Sequence, residues 1–429
     1  MLAVLFDSEP PGEESTSLRL QAAGAQVVSA RPSPMDEWAL LTTHERWGVA
    51  RIVAPRPSIQ AEFLPAPWLL ALLPDLTPDE VATIGGARTM RAVMLADGSA
   101  GGLQALRDRK RLLRFTSAVL CGDGLGALDV DAQRVWSPAE LDDELAHDAD
   151  LDIHGLFGLH AVTEGGRTTW LHTHGLAAVG AFDFDILNPS PALSSPGVEA
   201  IPSIAFAILE GAVSPNTPRY PVAWPGGELR FVPVRTFDAK ARDEDRGGRT
   251  LDAVEDHVDD RVVLCEPVGL LGRLFGRRLF GHHAPSAFLS REVPDGTVWL
   301  LSAAATECRA DRARRTYPVL QRLHGELAPV VGPPLVKLGY EAADGGREHL
   351  WFEVHRLLDD RLEATLLNEP HAVPSLRKGQ RGEHAVERLG DWLLGSPLGT
   401  ITPRSQAVAR RIRAELPRLR GTTGPATGA

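Results

Sequence analysis

Lysine is nearly missing from this chain of 429 residues: it stands only at 110, 240, 337 and 378, so arginine carries the basic charge. With the many Ala, Gly and Pro residues, that bias points to a bacterial source with a GC-rich genome. Cysteine is just as scarce. Cys121, Cys265 and Cys308 are widely spaced and form no C-x-x-C pair, which excludes a disulfide framework or a zinc-finger scaffold and predicts a reducing, cytoplasmic setting. No apolar run approaches the ~18 residues of a membrane span. Met1–Phe6 is apolar but stops at Asp7 without a basic leader, so it reads as a first strand rather than a secretory signal. An excess of positive charge is also absent. The net charge is −11, which argues against a nucleic-acid partner. Nor is there a G-x-S-x-G, H-E-x-x-H, Walker or EF-hand pattern.

What is present is an ordinary globular composition, 43% hydrophobic and 24% charged, in a chain long enough for two or three domains. The opening reads β-α-β-β: Leu2–Phe6, a helix over Ser15–Ala23 closed by Gly24, then strands Gln26–Ala30, Trp38–Thr43 and Trp47–Val53. Gly102–Arg114 reads as a helix with a basic solvent side, and Phe115–Cys121 as a strand. The run Gly122–Gly126 lacks the following helix that a phosphate-binding loop requires, so it reads as a hairpin turn. Ser137-Pro-Ala-Glu140 is a good helix start. Asp238–Asp260, dense in both charge signs, reads as an exposed boundary. The glycine-interrupted stretch Val268–His283 reads as a core-docked linker, and Ala310–Leu323 as a helix with arginines on its wet side.

Toward the C-terminus the pattern becomes regular. In Glu348–Leu357, Leu350, Phe352 and Val354 alternate with Glu353 and His355 as in a half-buried strand. Asp359-Asp360 marks a turn, Arg361–Leu367 the return strand, and Asn368-Glu369-Pro370 its end. With Leu335–Glu341 and Glu383–Arg388 this makes a β-meander of about four strands, the raw material of a small curled sheet or barrel. The motifs Glu348-x-x-Trp351, Asn368-x-Pro370, Leu376-x-x-Gly379 and Asp391-Trp392 occur in the order and spacing of the bacterial family called domain of unknown function 2314, which this part of the chain resembles. The resemblance implies a compact accessory module and no enzyme class. Gly382 departs from the family's β-branched preference, so that strand is expected to be short or bulged. Trp351 and Trp392 are expected in the core. Trp351, Asn368 and Glu369 are the binding candidates of this module.

The second motif is Trp170-Leu-His-Thr-His-Gly-Leu176 followed by Phe182-Asp-Phe-Asp-Ile-Leu187. Its His-Thr-His-Gly-Leu core is similar to the uncharacterised bacterial family called domain of unknown function 4026, a likeness that would cover the first two-thirds of the chain. Histidines at i and i+2 on a strand share a face, so His172 and His174 can offer imidazole nitrogens to one divalent metal, with Asp185 as third ligand. Asp183 or Glu164 would handle the proton. His160 is excluded by hairpin arithmetic. With a two-residue turn at Gly165-Gly166, Glu164 pairs with Arg167 and His160 with Leu171, which puts His160 on the side opposite His172. The competing expectation is a hydrogen-bonded structural cluster, with Gly175 as a strand bend.

The expected fold is therefore α+β. A mixed-sheet domain spans residues 1–260, a linker 261–284, a mostly β module 285–395, and a short basic helix with a disordered tail 396–429. The leading functional expectation is a non-catalytic cytoplasmic interaction protein, immunity-like or regulatory, that needs no cofactor and binds another protein. The alternative is a metal-dependent hydrolase on His172 and His174 with Asp183 and Asp185.

Overall fold

The computed structural model describes residues 1–71, 76–98, 101–194, 200–224, 226–237, 261–267, 286–290, 298–342 and 345–422. The chain divides into two units: Met1–Leu73, Thr83–Pro138 and Ile153–Ser302 form the first, and Pro74–Ala82, Ala139–Asp152 and Ala303–Ala429 the second. The fold is α+β, as expected. The principal division falls after Ser302, later than the sequence suggested, because residues 261–265 are not linker. Val268–His283 and Asp238–Asp260 lie outside the described residues. Among those described, no helix is long and apolar enough to cross a membrane.

The first unit holds two seven-stranded sheets. In the first, β1 (Leu2–Phe6), β2 (Gln26–Ala30), β3 (Asp36–His44), β4 (Gly48–Pro55), β5 (Thr89–Leu95), β6 (Gly126–Asp129) and β7 (Arg134–Trp136) run in the order β2-β3-β4-β5-β1-β6-β7. All neighbours are antiparallel. The apolar β1 is buried at every residue, as a strand flanked on both sides should be. The helices α1 (Glu13–Ala22) and α2 (Gln104–Leu120) pack against each other, and α2 against β1 and β5.

One expectation fails at α2. Phe115–Leu120 continues the helix instead of forming a strand, because Ala105, Leu106, Leu112, Leu113, Thr116, Val119 and Leu120 repeat at three- and four-residue spacing and are all buried. The expected basic side is there in Arg107, which is exposed, and Arg111 and Arg114, which are part-exposed, whereas Arg109 and Lys110 are buried. It ends where Cys121 and Gly122 turn left-handed, at φ 26° and 87°. There Arg19 of α1 donates to the Val119 carbonyl at 2.9 Å and to both oxygens of Asp123 at 2.7 and 2.6 Å. Residues 122–125 thus connect a helix to β6 rather than closing a hairpin.

The second sheet comprises β8 (Gly158–Glu164), β9 (Arg167–His174), β10 (Asp183–Leu187), β11 (Tyr220–Trp224), β12 (Gly227–Pro233), β13 (Arg261–Cys265) and β14 (Val298–Trp299). Its order is β14-β11-β12-β13-β10-β9-β8, antiparallel except for the parallel pair β10/β13. Arg261–Cys265 is thus a fully buried interior strand. Here α3 (Ala200–Leu209) is buried along its whole length.

The second unit carries β15 (Leu335–Glu341), β16 (Arg347–Leu357), β17 (Arg361–Leu366), β18 (Arg381–Ala385), β19 (Leu389–Ser396) and β20 (Gly399–Ile401). They form a six-stranded open antiparallel sheet, ordered β18-β17-β16-β15-β19-β20, rather than a four-strand barrel-like meander. The strand β18 is short but pairs regularly with β17 through Gly382, without a bulge. Its core collects Leu350, Phe352, Val354, Leu362 and Leu366 from the sheet and Leu320, Leu323 and Leu327 from a helix. The single helix expected over 310–323 is two, α4 (Ala303–Arg315) and α5 (Tyr317–Leu327), broken at Thr316 ahead of Pro318. Arg312 is not on a wet side: it is buried, with Nη2 2.6 Å from Glu144 and Nε donating to the Pro403 carbonyl at 2.8 Å. The last helix, α6 (Ala407–Thr422), runs past Pro417.

Candidate metal centre

The centre lies on one face of the β8-β9-β10 ribbon, and its geometry is set by one extra residue. At the hairpin tip Glu164 faces Arg167 and Thr163 faces Thr168, as the two-residue turn dictates. The register then shifts by one. Val162 faces Trp170 and His160 faces His172, leaving Thr169 as the additional residue of a bulge. Its hydroxyl donates to the Val162 carbonyl at 3.3 Å, and its carbonyl accepts the Asn188 amide from beyond β10 at 2.8 Å. A one-residue slip moves a strand's side chains to the opposite face. His160, excluded by regular pairing, therefore stands directly across from His172.

Three imidazoles converge as a result. A ligating atom from each of His160, His172 and His174 lies within 4.8 Å of the others. The ring centroids of His160 are 5.4 Å from His172 and 4.6 Å from His174. His172 and His174 are buried, and the ring nitrogens His160 Nε2, His172 Nδ1 and His174 Nε2 are shielded from water. In a tetrahedral zinc site with Zn–N of ~2.0–2.1 Å, ligand nitrogens sit roughly 3.4 Å apart.

The surroundings fix the rings. Trp170 stacks on His172 with centroids 4.1 Å apart, and its Nε1 donates to Asp185 Oδ1 at 3.1 Å. Asp185 stands opposite His172 in the β10 register, but its Oδ1 also takes Arg261 Nη2 at 2.7 Å. Arg261 reaches on to the Thr173 carbonyl at 2.8 Å. Asp185 is thus an orienting partner of Trp170 and the counter-ion of Arg261. The structure brings together His172 and His174 of the expected set, adds His160, and gives Asp185 a different task.

The other sequence candidates do not join the centre. Asp183 accepts the Thr173 hydroxyl at 2.8 Å and the amides of Gly175 and Leu176 at 3.2 and 3.3 Å, which builds the turn after β9. Glu164 is four residues along β8 from His160, about 13 Å at strand rise. In the second unit the side-chain Oδ1 of Asn368 accepts the Trp351 backbone amide at 2.7 Å. Glu348 accepts the amides of His371 and Ala372, both at 2.8 Å. These motif residues fasten one loop to β16. Trp351 lies part-buried with Lys337 Nζ 5.6 Å from its ring, while Glu369 is exposed. Trp392 is a core residue, as expected, and donates to Thr316 at 3.0 Å.

Close packing behind the centre explains two glycines. A Cβ on Gly158, the register partner of His174, would fall 2.1 Å from the Ala132 carbonyl oxygen. One on Gly175, at φ 112°, would fall 2.8 Å from Ala132 Cα. Ala132 is held there because its amide donates to Asp129, which is ion-paired with Arg109 at 2.6 Å inside the core. A buried ion pair on α2 and β6 therefore supports the backbone beside His174. None of Arg109, Asp129 or Ala132 was singled out by its local sequence.

Three imidazoles without a fourth protein ligand are a donor set that catalytic zinc sites use, whereas closed structural sites use four. No protein-family model, curated protein or solved structure matches the chain. Likeness to either domain of unknown function therefore stays with the motifs that carry it.

Proposed function

We propose that the first unit binds one divalent transition metal, zinc by the chemistry of its donors, through His160, His172 and His174, and that the protein is a metal-dependent hydrolase. The observation that carries this reading is the convergence of three shielded imidazoles within 4.8 Å on one sheet face. A metal on three neutral ligands keeps a position for water and lowers its pKa toward neutrality. The cysteines at 121, 265 and 308 form no disulfide, which supports a reducing, cytoplasmic setting. The test is elemental analysis of untagged protein, purified without chelator, beside single His160→Ala, His172→Ala and His174→Ala variants. Near-stoichiometric metal that falls at least tenfold in each folded variant supports the proposal. Native protein that stays metal-free after supplementation contradicts it.

A second reading, an accessory protein that receives another protein, has its own observation. The strand β2 is a sheet edge in the first unit, and Val28 on it is 60% exposed. Edges of this kind accept an added strand. The net charge of −11 fits a protein partner better than nucleic acid. A partner recovered with the native chain and lost with Val28→Lys supports this reading, and recovery unchanged by that substitution contradicts it.

A further inference from the structure

The charges around the three histidines define what completes the coordination sphere. All three ligands are neutral, so a divalent metal arrives with its full charge in a place shielded from water. Uncompensated charge in such a place is costly. The two carboxylates flanking β9 offset it only in part. Asp185 is matched by Arg261 at 2.7 Å. Asp183 spends its oxygens on a hydroxyl and backbone amides. Arg261 itself is buried, with Nη1 on the Thr173 carbonyl at 2.8 Å, one residue from both His172 and His174. Two carboxylates against one guanidinium leave a local formal charge of −1 without the metal, and a divalent metal turns it to +1, which one monoanion cancels.

Resting on the three-histidine reading, we infer that the fourth ligand is a small exogenous anion: hydroxide when water is the source, and exchangeable for a compact monoanion such as azide or a carboxylate. The site then selects ligands that bring negative charge to the metal and rejects neutral amines and thioethers. Asp185 is a positioning and charge-setting residue in this account. Without its charge, Arg261 adds to the positive field and anions bind tighter.

Cobalt(II) is the probe, because its visible absorption reports coordination number and ligand exchange. The cobalt-loaded full-length protein is titrated with sodium azide, and separately with imidazole. Saturable change of the visible bands with azide, and little with imidazole at equal concentration, is the expected result. In Asp185→Asn the azide dissociation constant falls on the order of tenfold. A cobalt spectrum that develops at one equivalent but ignores azide overturns the inference and leaves the metal centre standing. Failure to bind cobalt removes both. Tighter imidazole than azide binding also overturns the inference, whether or not Asp185→Asn folds.

Discussion

His160 faces His172 across the β8/β9 ladder because Thr169 is one residue too many for regular pairing. The candidate centre depends on the bulge that takes up that surplus. Removing Thr169 removes the bulge and leaves an even ladder in which Val162 still faces Trp170 and His160 still faces His172. The deletion is predicted to keep a folded hairpin, with near-native circular dichroism, and zinc binding by isothermal titration within about tenfold of native. A folded deletion variant that binds zinc about a hundredfold more weakly would show that this register is not what places His160 at the metal.

Gly175 makes a second test. Its φ of 112° and the 2.8 Å approach of Ala132 leave no room for a side chain. Gly175→Ala is predicted to cost about 2–4 kcal/mol in urea unfolding of the full chain, strain and overpacking together. A change under about 0.5 kcal/mol would mean that Ala132 does not press on this backbone.

Arg312 anchors the second unit through Glu144, the Asp150 carbonyl and the Pro403 carbonyl. Removing one member of a buried pair leaves the other charge uncompensated, at about 3–5 kcal/mol. Arg312→Met is therefore predicted to destabilise strongly, and Arg312→Met/Glu144→Leu clearly less, in a double-mutant cycle of denaturant midpoints. Additive effects would contradict the pairing.

Two histidines of the second unit set a pH dependence. Burial lowers His349 below its ordinary 6.5, with Lys337 and Arg347 adding to the effect. Burial likewise lowers His384, whose Nδ1 meets the Tyr340 hydroxyl at 2.5 Å, with Arg388 adding to it and a backbone bond to Ala364 opposing it. Both are neutral when folded at a pH where the unfolded chain already takes up protons. Their stabilising contribution is full above pH 6.5 and is lost as pH falls below that value through the folded pKa values. The thermal midpoint should therefore drop as pH falls below about 6.5. His349→Gln/His384→Gln should flatten the drop, and an unchanged slope would rule out these two groups as its source.

Most of the strands were legible in the sequence, because alternation in stretches such as Leu350–Val354 and the Gly165-Gly166 turn are local signals. The helix through Phe115–Leu120 was not. Its aromatic and β-branched residues resemble a strand until the three- and four-residue spacing is read from Ala105 onward. His172 and His174 were found by their i, i+2 spacing, and Asp185 was placed beside them without its tie to Arg261. Arg261 lies 76 residues away and is brought near only by the parallel β10/β13 pair. His160 was missed for a sharper reason. The turn was read correctly, yet Thr168-Thr169 does not announce which residue will bulge, since tertiary contacts such as the Asn188 bond to Thr169 settle it.

The most direct measurement is the X-ray absorption fine structure of the zinc-loaded protein. Three imidazole scatterers at ~2.0 Å and one lighter oxygen or nitrogen ligand are predicted, with one imidazole lost in His160→Ala. A sulfur scatterer, a carboxylate signature from Asp185, or a spectrum unchanged by His160→Ala would contradict the account.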